Sequence, residues 1–365
     1  MRERLLLGSG PSPVPQRVLD ALAQPTIGHL DPQFVAIMDE VAELLRQTFR
    51  TANRVAFPVS GTGSAGMQAM VDNLIAPGDR VVCGVHGVFG GRMADACERV
   101  GADVVRVEAE WGRALDSDAL GAAMTSDTRA LFVVHGETST GVAQPLGDLR
   151  EIAGEALLLV DCVTSLAGHE IGIDDAGIDA AFSGTQKCLN CPPGLAPFTL
   201  NDRAAERLQR RSWYFDFEAI LGYWNADGGR AYHHTAPINM VYALREALAM
   251  VQEEGLEARW QRHAEAHESL RAQLAELGFE RLAPDGEQLS SLLCVRVPEG
   301  IDEAAVRGRL LTEHDIEVSG GLGPLAGKVW RIGVMGEGAR PEAQARLVEA
   351  VRSSVPLCEK KGSVP

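Results

Sequence analysis

The stretch Ser183-Gly-Thr-Gln-Lys187-Cys-Leu-Asn190 places a lysine in a polar turn, 26 positions after the aspartate of Leu157-Leu-Leu-Val-Asp161. A lysine amine can condense with an aldehyde cofactor to form a Schiff base. An aspartate facing a pyridine nitrogen keeps that ring protonated and electron-withdrawing. The pair therefore predicts pyridoxal phosphate chemistry, and transamination is the first interpretation.

Around this pair, short apolar runs alternate with helical patterns, which is typical of strands covered on both faces in an α/β sheet. Asp31-Pro32 before apolar residues at helical spacing predicts an N-cap, a proline at N1 and an amphipathic helix. After Glu254-Gly255 the pattern changes and predicts a compact α+β unit. The predicted strands of the first part are 81–84, 104–107, 130–134, 156–160 and 195–199.

The chain is long enough for two domains, with 365 residues and 45% hydrophobic content. We divide it into an N-terminal segment (1–20), a large cofactor-binding domain (21–254) and a small C-terminal domain (255–365). The expected fold class is α/β, with a mixed, mostly parallel sheet flanked by helices in the large domain.

Charge and cysteine content narrow the class of protein. A formal charge of -16 argues against nucleic acid or an anionic membrane surface as a partner. Seven cysteines, an odd number, do not resemble a disulfide framework and favour a reducing compartment. No stretch approaches the roughly 20 apolar residues of a membrane span. We expect a cytoplasmic protein.

A glycine-rich turn, Ser60-Gly-Thr-Gly-Ser-Ala-Gly66, precedes a predicted helix near Ser64 and is suited to hold a phosphate. It also fits a dinucleotide-binding pattern, but the strand that follows ends in His86-Gly87 rather than in an acidic residue. A P-loop requires lysine where Met67 stands. From this segment alone, a helix entry without a ligand stays open.

Taken with Lys187 and Asp161, the turn resembles the class V aminotransferases of the fold type I pyridoxal phosphate enzymes. Within that family, the chain is most similar to the alanine-glyoxylate and serine-pyruvate (serine-glyoxylate) aminotransferases. The resemblance runs over nearly the whole chain. Its motifs are LLLGSGPS (5–12), IGH (27–29), SGTGS (60–64), HGETSTG (135–141), LLVD (158–161), SGTQK (183–187), YHHT (232–235), GGLG (320–323) and RIG (331–333).

The resemblance implies two catalytic residues and several cofactor contacts. Lys187 binds pyridoxal 5'-phosphate and later moves a proton between the substrate Cα and the cofactor, while Asp161 pairs with the pyridine nitrogen. Phe89, where many relatives carry tryptophan, stacks on the ring and Val163 packs on it as well. Thr138 bonds the phenolic oxygen side.

Phosphate contacts are implied for a further set of residues, two of which reach across from a neighbouring subunit. A homodimer with shared active sites follows. The contacts from the same subunit are Thr62, Gly63, Ser64 and Gln186, and those from the neighbouring subunit are Tyr232 and Thr235.

Arg331 is assigned to the substrate carboxylate, because a guanidinium offers two parallel charge-assisted hydrogen bonds. Gly28 and His29 resemble a small-residue loop beside the substrate. The expected reaction is a ping-pong transfer of an amino group from alanine or serine to glyoxylate or a similar small 2-oxo acid. No metal site is expected, since Cys188 and Cys191 have no second pair to complete one.

Three alternatives stay open from the sequence. A related enzyme of the same family with another amine donor, such as aminoethylphosphonate or pyridoxamine, shares much of the framework. A desulfurase or lyase of this fold needs a nucleophilic cysteine on a mobile loop, but segment 320–336 has none and Cys294 lies in a predicted strand. A nicotinamide-dependent oxidoreductase is the remote alternative. Donor preference, physiological direction and assembly beyond a dimer are not specified by these patterns.

Overall fold

The computed structural model describes residues 2–224 and 230–355. Strands in this part of the chain are numbered in order. They are β1 (Leu5–Leu6), β2 (Val55–Ser60), β3 (Arg80–Val85), β4 (Asp103–Glu108), β5 (Thr128–Val134), β6 (Gly136–Glu137), β7 (Val142–Ala143), β8 (Leu157–Asp161), β9 (Ala180–Phe182), β10 (Leu195–Leu200), β11 (Glu280–Arg281), β12 (Leu292–Arg296), β13 (Ile316–Glu317), β14 (Ser319–Gly320) and β15 (Val329–Gly333).

The α-helices are numbered in the same way, and two short 3-10 turns lie at Gly323–Leu325 and Gly336–Ala339. The helices are α1 (Gln16–Leu22), α2 (Pro32–Phe49), α3 (Gly63–Leu74), α4 (Val88–Arg99), α5 (Ser117–Ala123), α6 (Leu149–Ala153), α7 (Asp202–Ala205), α8 (Phe217–Trp224), α9 (Ile238–Glu254), α10 (Leu256–Ala275), α11 (Glu303–Glu313) and α12 (Pro341–Ser354).

A seven-stranded sheet in the order β2-β10-β9-β8-β5-β3-β4 forms the centre of the larger unit. Strands β9, β8, β5, β3 and β4 are mutually parallel, and β10 runs antiparallel to both β9 and β2. The apolar runs of β3, β5, β8 and β10 are buried between helices, as expected for strands covered on both faces, while the edge strand β4 is only half-buried. The five predicted strands and the mostly parallel α/β sheet are confirmed.

A second, antiparallel sheet in the order β11-β12-β15-β14 packs with α10, α11 and α12 around a separate hydrophobic core. The N-terminal strand β1 pairs in parallel with β13, next to this second sheet. The chain therefore begins against its own C-terminal region. This pairing brings residues 7–12 back toward the edge of the central sheet.

Helix boundaries follow the local signals in the sequence. Asp31 caps α2 by accepting a hydrogen bond from Gln33 N at 2.8 Å, with Pro32 at the first position, which confirms that prediction. Helix α9 ends at Glu254, and Gly255 takes a positive φ of 82° before α10 begins.

Helix α10 takes part in both cores. Leu256 and Trp260 pack in the first core, while Leu270 and Leu274 pack in the second. The division at 254/255 stays a prediction. None of the helices within the described ranges has the length and hydropathy of a membrane span.

Candidate active site

Several of the predicted site residues lie at one edge of the central sheet. Parallel strands bring their carboxyl ends to the same edge, where α/β proteins bind their ligands. Asp161 ends β8, and the turn that carries Lys187 follows the neighbouring β9. The glycine-rich turn follows β2, which is parallel to β9 because both run antiparallel to β10. The sheet topology thus assembles motifs that are far apart in sequence.

Lys187 is buried, with 9% of its surface exposed. Its Nζ donates a hydrogen bond to the main-chain oxygen of Ser9. Burial lowers the pKa of its amine to about 8, the nearby charge of Arg331 adds to this, and Asp161 opposes it. A larger share of the amine is therefore in the neutral, nucleophilic form near pH 7 than for an ordinary lysine.

Asp161 is buried, and its Oδ1 accepts a hydrogen bond from Val163 N at 2.7 Å. Burial raises the pKa of this carboxyl to about 7, although the Val163 hydrogen bond and the charge of Lys187 act in the opposite direction. Among the described residues no cation forms an ion pair with it. A protonated pyridine nitrogen is the kind of partner that such a carboxylate requires.

Donors for the phosphate of pyridoxal phosphate lie near these residues. Helix α3 starts at Gly63 without a side-chain cap on its first N-H groups, which is the arrangement that binds phosphate. A Cβ on Gly63 would lie 3.1 Å from Val163 Cγ2, so glycine allows the turn to pack closely against Val163. The Oε1 of Gln186 is buried without a hydrogen-bond partner. The residues present fit the cofactor.

Phe89 lies half-buried at the start of α4, close to a carboxylate that the sequence reasoning missed. Glu137 is fully buried and accepts hydrogen bonds from Phe89 N at 3.0 Å and from Ser139 Oγ at 2.6 Å. Burial raises the pKa of Glu137. The carboxylate thus joins the helix of Phe89 to the loop of Thr138. The only signal in the sequence for this role of Glu137 was its place in the HGETSTG motif.

Arg331 lies in β15 and is 7% exposed. Its Nε donates to Gly320 O at 2.7 Å, and its Nη1 donates to Ser9 Oγ at 2.9 Å and to Thr138 O at 3.3 Å. Burial lowers its pKa. No carboxylate in the described part of the chain forms an ion pair with Arg331, so an anionic ligand would supply the missing charge.

The N-terminal segment closes over Lys187 and was also missed as part of the site. Gly10 has φ +107°, and a Cβ there would lie 2.5 Å from Lys187 Nζ. Ser9 contacts both Lys187 and Arg331. The motif at 5–12 was noted in the sequence, but the pairing of β1 with β13 that delivers it to the site depends on residues about 300 positions away.

A second group of predicted residues forms its own cluster on the surface. Tyr232 is 53% exposed, its ring lies 4.6 Å from that of His29, and a hydrogen bond of 3.0 Å joins its Oη to Thr235 Oγ1. Tyr223 Oη donates to His29 O at 2.5 Å, and Gly28 is exposed beside it. Within the described residues of one chain, no hydrogen bond joins this cluster to Lys187.

Thr62 and Ser64 are exposed at the start of α3, and Thr138 is buried. Cys188 and Cys191 are both buried and free. Across residues 2–224 and 230–355, no group of three or more histidine, cysteine or acidic side chains is arranged to hold a metal ion.

The site combines a buried lysine with a lowered pKa, a buried carboxylate without an ion-pair partner among the described residues, and a helix N-terminus without a side-chain cap. This combination is typical of an enzyme that holds a phosphorylated aldehyde cofactor on an α/β scaffold. Comparison with known proteins narrows this class. The class-V aminotransferase family model matches residues 4–330, and the chain belongs to that family.

Similar proteins cover nearly the whole chain. The crystal structure of an alanine–glyoxylate aminotransferase from Nostoc sp. superposes with a TM-score of 0.94 and 46% identity, covering 98% of this chain and 96% of that one. The (S)-ureidoglycine–glyoxylate transaminase of Bacillus subtilis is 38% identical, over 93% of this chain and 87% of its own length. The alanine–glyoxylate aminotransferase of Rattus norvegicus is 39% identical, over 98% and 89%.

Proposed function

We propose that this class V aminotransferase uses pyridoxal phosphate to transfer an amino group from a small amino acid to glyoxylate. The observation that carries the proposal is that buried Lys187 lies near buried Asp161, whose carboxylate forms no ion pair with any described residue. The similar proteins from Nostoc, Bacillus and Rattus all carry glyoxylate in their names. Alanine or serine is the donor we favour.

Each reacting group has a separate task. The bound cofactor supplies an electron sink for the bonds at the substrate Cα. Lys187 would hold the cofactor covalently and, once released, its Nζ would remove the proton from the substrate Cα. The carboxylate of Asp161 would accept a hydrogen bond from the pyridine N-H and keep that nitrogen protonated. Both tasks are helped by burial, since a low dielectric strengthens the charge interaction and favours the neutral amine.

Arg331 binds the substrate carboxylate. Its Nε and Nη1 are already oriented by Gly320, Ser9 and Thr138, so the side chain does not have to be ordered when substrate arrives. This arrangement suits both half-reactions of a ping-pong cycle, because the amino acid and the 2-oxo acid each carry one carboxylate at the same position.

The remaining assignments complete the cofactor site. The N-H groups at the start of α3 and the polar side chains around them would hold the phosphate, and Phe89 and Val163 would pack against the ring. Thr138 would lie on the phenolic oxygen side. The phosphate-binding residues from the same subunit are Thr62, Gly63, Ser64 and Gln186.

The functional unit is a homodimer in this proposal. Tyr232 and Thr235 lie on the surface, away from the lysine of their own chain, and they are hydrogen-bonded to each other. Placed across a dimer interface, they would reach the phosphate of the neighbouring subunit, and Gly28 and His29 would lie beside that subunit's substrate. The expected cytoplasmic location stays a prediction.

A desulfurase function is disfavoured by the position of Cys294. This residue lies within β12, is buried and has a pKa raised to about 12 by burial. A thiol in this state is a poor nucleophile. Another amine donor is a closer alternative, and the test below separates it from alanine and serine.

The test is a spectroscopic titration of the purified protein with pyridoxal phosphate in excess. We expect alanine or serine to remove the visible absorbance of the bound cofactor and to yield pyruvate or hydroxypyruvate. Glyoxylate should then restore the absorbance and yield glycine. (S)-ureidoglycine, aminoethylphosphonate and pyridoxamine are added in parallel. A response to one of these alone would change the donor, and no visible absorbance with any addition would contradict the cofactor assignment.

A further inference from the structure

The main chain at Lys187 is held by donors from outside its own turn. Three consecutive carbonyl oxygens accept such bonds. The oxygen of Gln186 accepts from Ser12 N at 2.9 Å, that of Lys187 from Ser12 Oγ at 2.6 Å, and that of Cys188 from Arg259 Nη2 at 2.6 Å. Because a main-chain rotation here would swing the lysine side chain, these bonds determine where Nζ can reach.

Arg259 is the charged member of this set, and 4% of its surface is exposed. Its Nε donates to Ala167 O at 3.1 Å, its Nη2 also donates to Asn190 Oδ1 at 3.2 Å, and its Nη1 donates to Glu254 Oε2 at 2.6 Å. A buried guanidinium with this many acceptors is costly to move, because each lost bond leaves a desolvated polar group. The hydrogen bond to Cys188 is therefore a rigid one.

The same network extends to the second core. Arg262 shares the Glu254 carboxylate with Arg259, at 2.9 Å from Nη2, and its Nη1 donates to Gly336 O at 2.8 Å. His263 Nε2 accepts from Gly336 N at 2.8 Å. Although burial opposes it, the hydrogen bonds and charges of the two arginines lower the pKa of Glu254 to about 2. The carboxylate thus stays ionised and ties both arginines of α10 to the end of α9.

We propose that Arg259 is a positioning residue for Lys187, through which helix α10 and the second core fix the main chain of the lysine turn. The inference rests on the proposed function, because it matters for turnover only if Lys187 carries the cofactor. Arg259 touches neither Lys187 Nζ nor Arg331 in the structure, so it acts through the carbonyl of Cys188 and the side chain of Asn190.

The experiment compares Arg259→Met with Arg262→Met in the full chain with pyridoxal phosphate in excess. Arg262 lies three residues after Arg259, and its substitution also removes a hydrogen bond to Glu254. It is a matched control, because in the described structure it has no hydrogen bond to the lysine turn. Hydrogen exchange is followed in peptides that contain the amides of Asn190 and Cys191, which bond to Lys187 O and Thr185 O. Turnover with alanine and glyoxylate is measured alongside.

We expect exchange at these amides to accelerate at least tenfold in Arg259→Met and to change less than twofold in Arg262→Met. We expect kcat to fall at least tenfold in Arg259→Met while KM for alanine stays within about twofold, since Arg331 is untouched. Arg259→Lys, which keeps one charged donor, should recover part of both effects and serves as the test if the methionine variant does not fold.

Equal effects of the two methionine variants, or unchanged exchange and kcat in Arg259→Met or Arg259→Lys, would overturn the positioning role. Hydrogen exchange does not require turnover. A wild-type protein without transaminase activity would therefore contradict the proposed function, while faster exchange specific to Arg259→Met would still support the connection between Arg259 and the lysine turn.

Discussion

At the scale of single residues, the site depends on two groups whose ionisation is set by burial. Lys187 has its pKa lowered to about 8 and Asp161 has its pKa raised to about 7. Both shifts favour the neutral forms of the side chains. Asp161 must be ionised to pair with the cofactor, but burial disfavours its charged form. The bound cofactor would offset this effect, because a protonated pyridine N-H supplies the positive partner that Asp161 lacks among the described residues.

Asp161→Asn is predicted to stabilise the cofactor-free protein in a pH-dependent way. A carboxyl with a raised pKa in the folded state favours folding at low pH, and this contribution is lost as pH rises from about 4 through about 7. The advantage of Asn over Asp should grow by on the order of 2–3 kcal/mol between pH 5 and pH 8. Urea unfolding of both proteins at the two pH values measures it.

With pyridoxal phosphate bound, the order should reverse at pH 8, because only the aspartate then has a cationic partner. A stability difference between the two cofactor-free proteins that does not change with pH would contradict the assigned environment of Asp161. The kcat of Asp161→Asn should also fall at least 100-fold, since the pyridine nitrogen of the cofactor is no longer held protonated.

Individual residues could be proposed from the sequence where their chemistry stands out. Lys187, Asp161 and Arg331 are buried, which is consistent with the tasks proposed for them. Glu137 and Arg259 were missed, because a buried carboxylate or guanidinium has no local pattern that separates it from the many charged residues on the surface. Their roles become visible only when distant main-chain groups are brought to them.

At the scale of elements, strand positions and helix ends followed from local signals. The alternation of apolar runs, the Asp31-Pro32 cap and the break at Glu254-Gly255 each correspond to a feature of the structure. The path of residues 7–12 did not follow from such signals. It depends on the pairing of β1 with β13. Both strands have only two residues, which is too short for an alternating apolar pattern to be recognised in the sequence.

Gly10→Ala tests the role of this N-terminal segment. The new Cβ would lie 2.5 Å from Lys187 Nζ, in a backbone conformation with φ +107° that alanine rarely adopts. We expect pyridoxal phosphate to bind at least tenfold more slowly or more weakly, as measured by absorbance after mixing.

Gly78→Ala is the matched control for that variant. Gly78 also has a positive φ, +83°, but a Cβ there would meet nothing within 4 Å. It should lower the melting temperature by an amount that reflects about 1 kcal/mol of backbone strain, and leave cofactor binding unchanged. Equal loss of binding in both variants would show that strain, and not the contact with Lys187, is responsible.

At the scale of the whole molecule, the proposed sharing of each active site between two subunits makes a quantitative prediction. Lys187→Ala and Tyr232→Ala should each be nearly inactive alone if both residues serve every site. In a mixed dimer, one site carries both substitutions and the other carries neither. Unfolding and refolding an equal mixture should therefore restore roughly a quarter of wild-type activity, because half of the dimers are mixed and each has one intact site.

Activity that stays at the level of the separate variants would contradict a site built from two subunits. Tyr232→Phe is the conservative control, since it keeps the ring beside His29 and removes only the hydroxyl that bonds to Thr235. It should weaken cofactor binding less than Tyr232→Ala does. The sequence predicted this sharing only through the family resemblance, because a single chain does not contain the interface.

The most direct test of the account is to reduce the protein with borohydride after adding pyridoxal phosphate, and to find the modified residue by peptide mass spectrometry. The chain has four lysines, at 187, 328, 360 and 361, so the sites are easily distinguished. We expect one stable cofactor adduct on Lys187, lost in Lys187→Ala while the protein stays folded. An adduct on another lysine, or none, would contradict it.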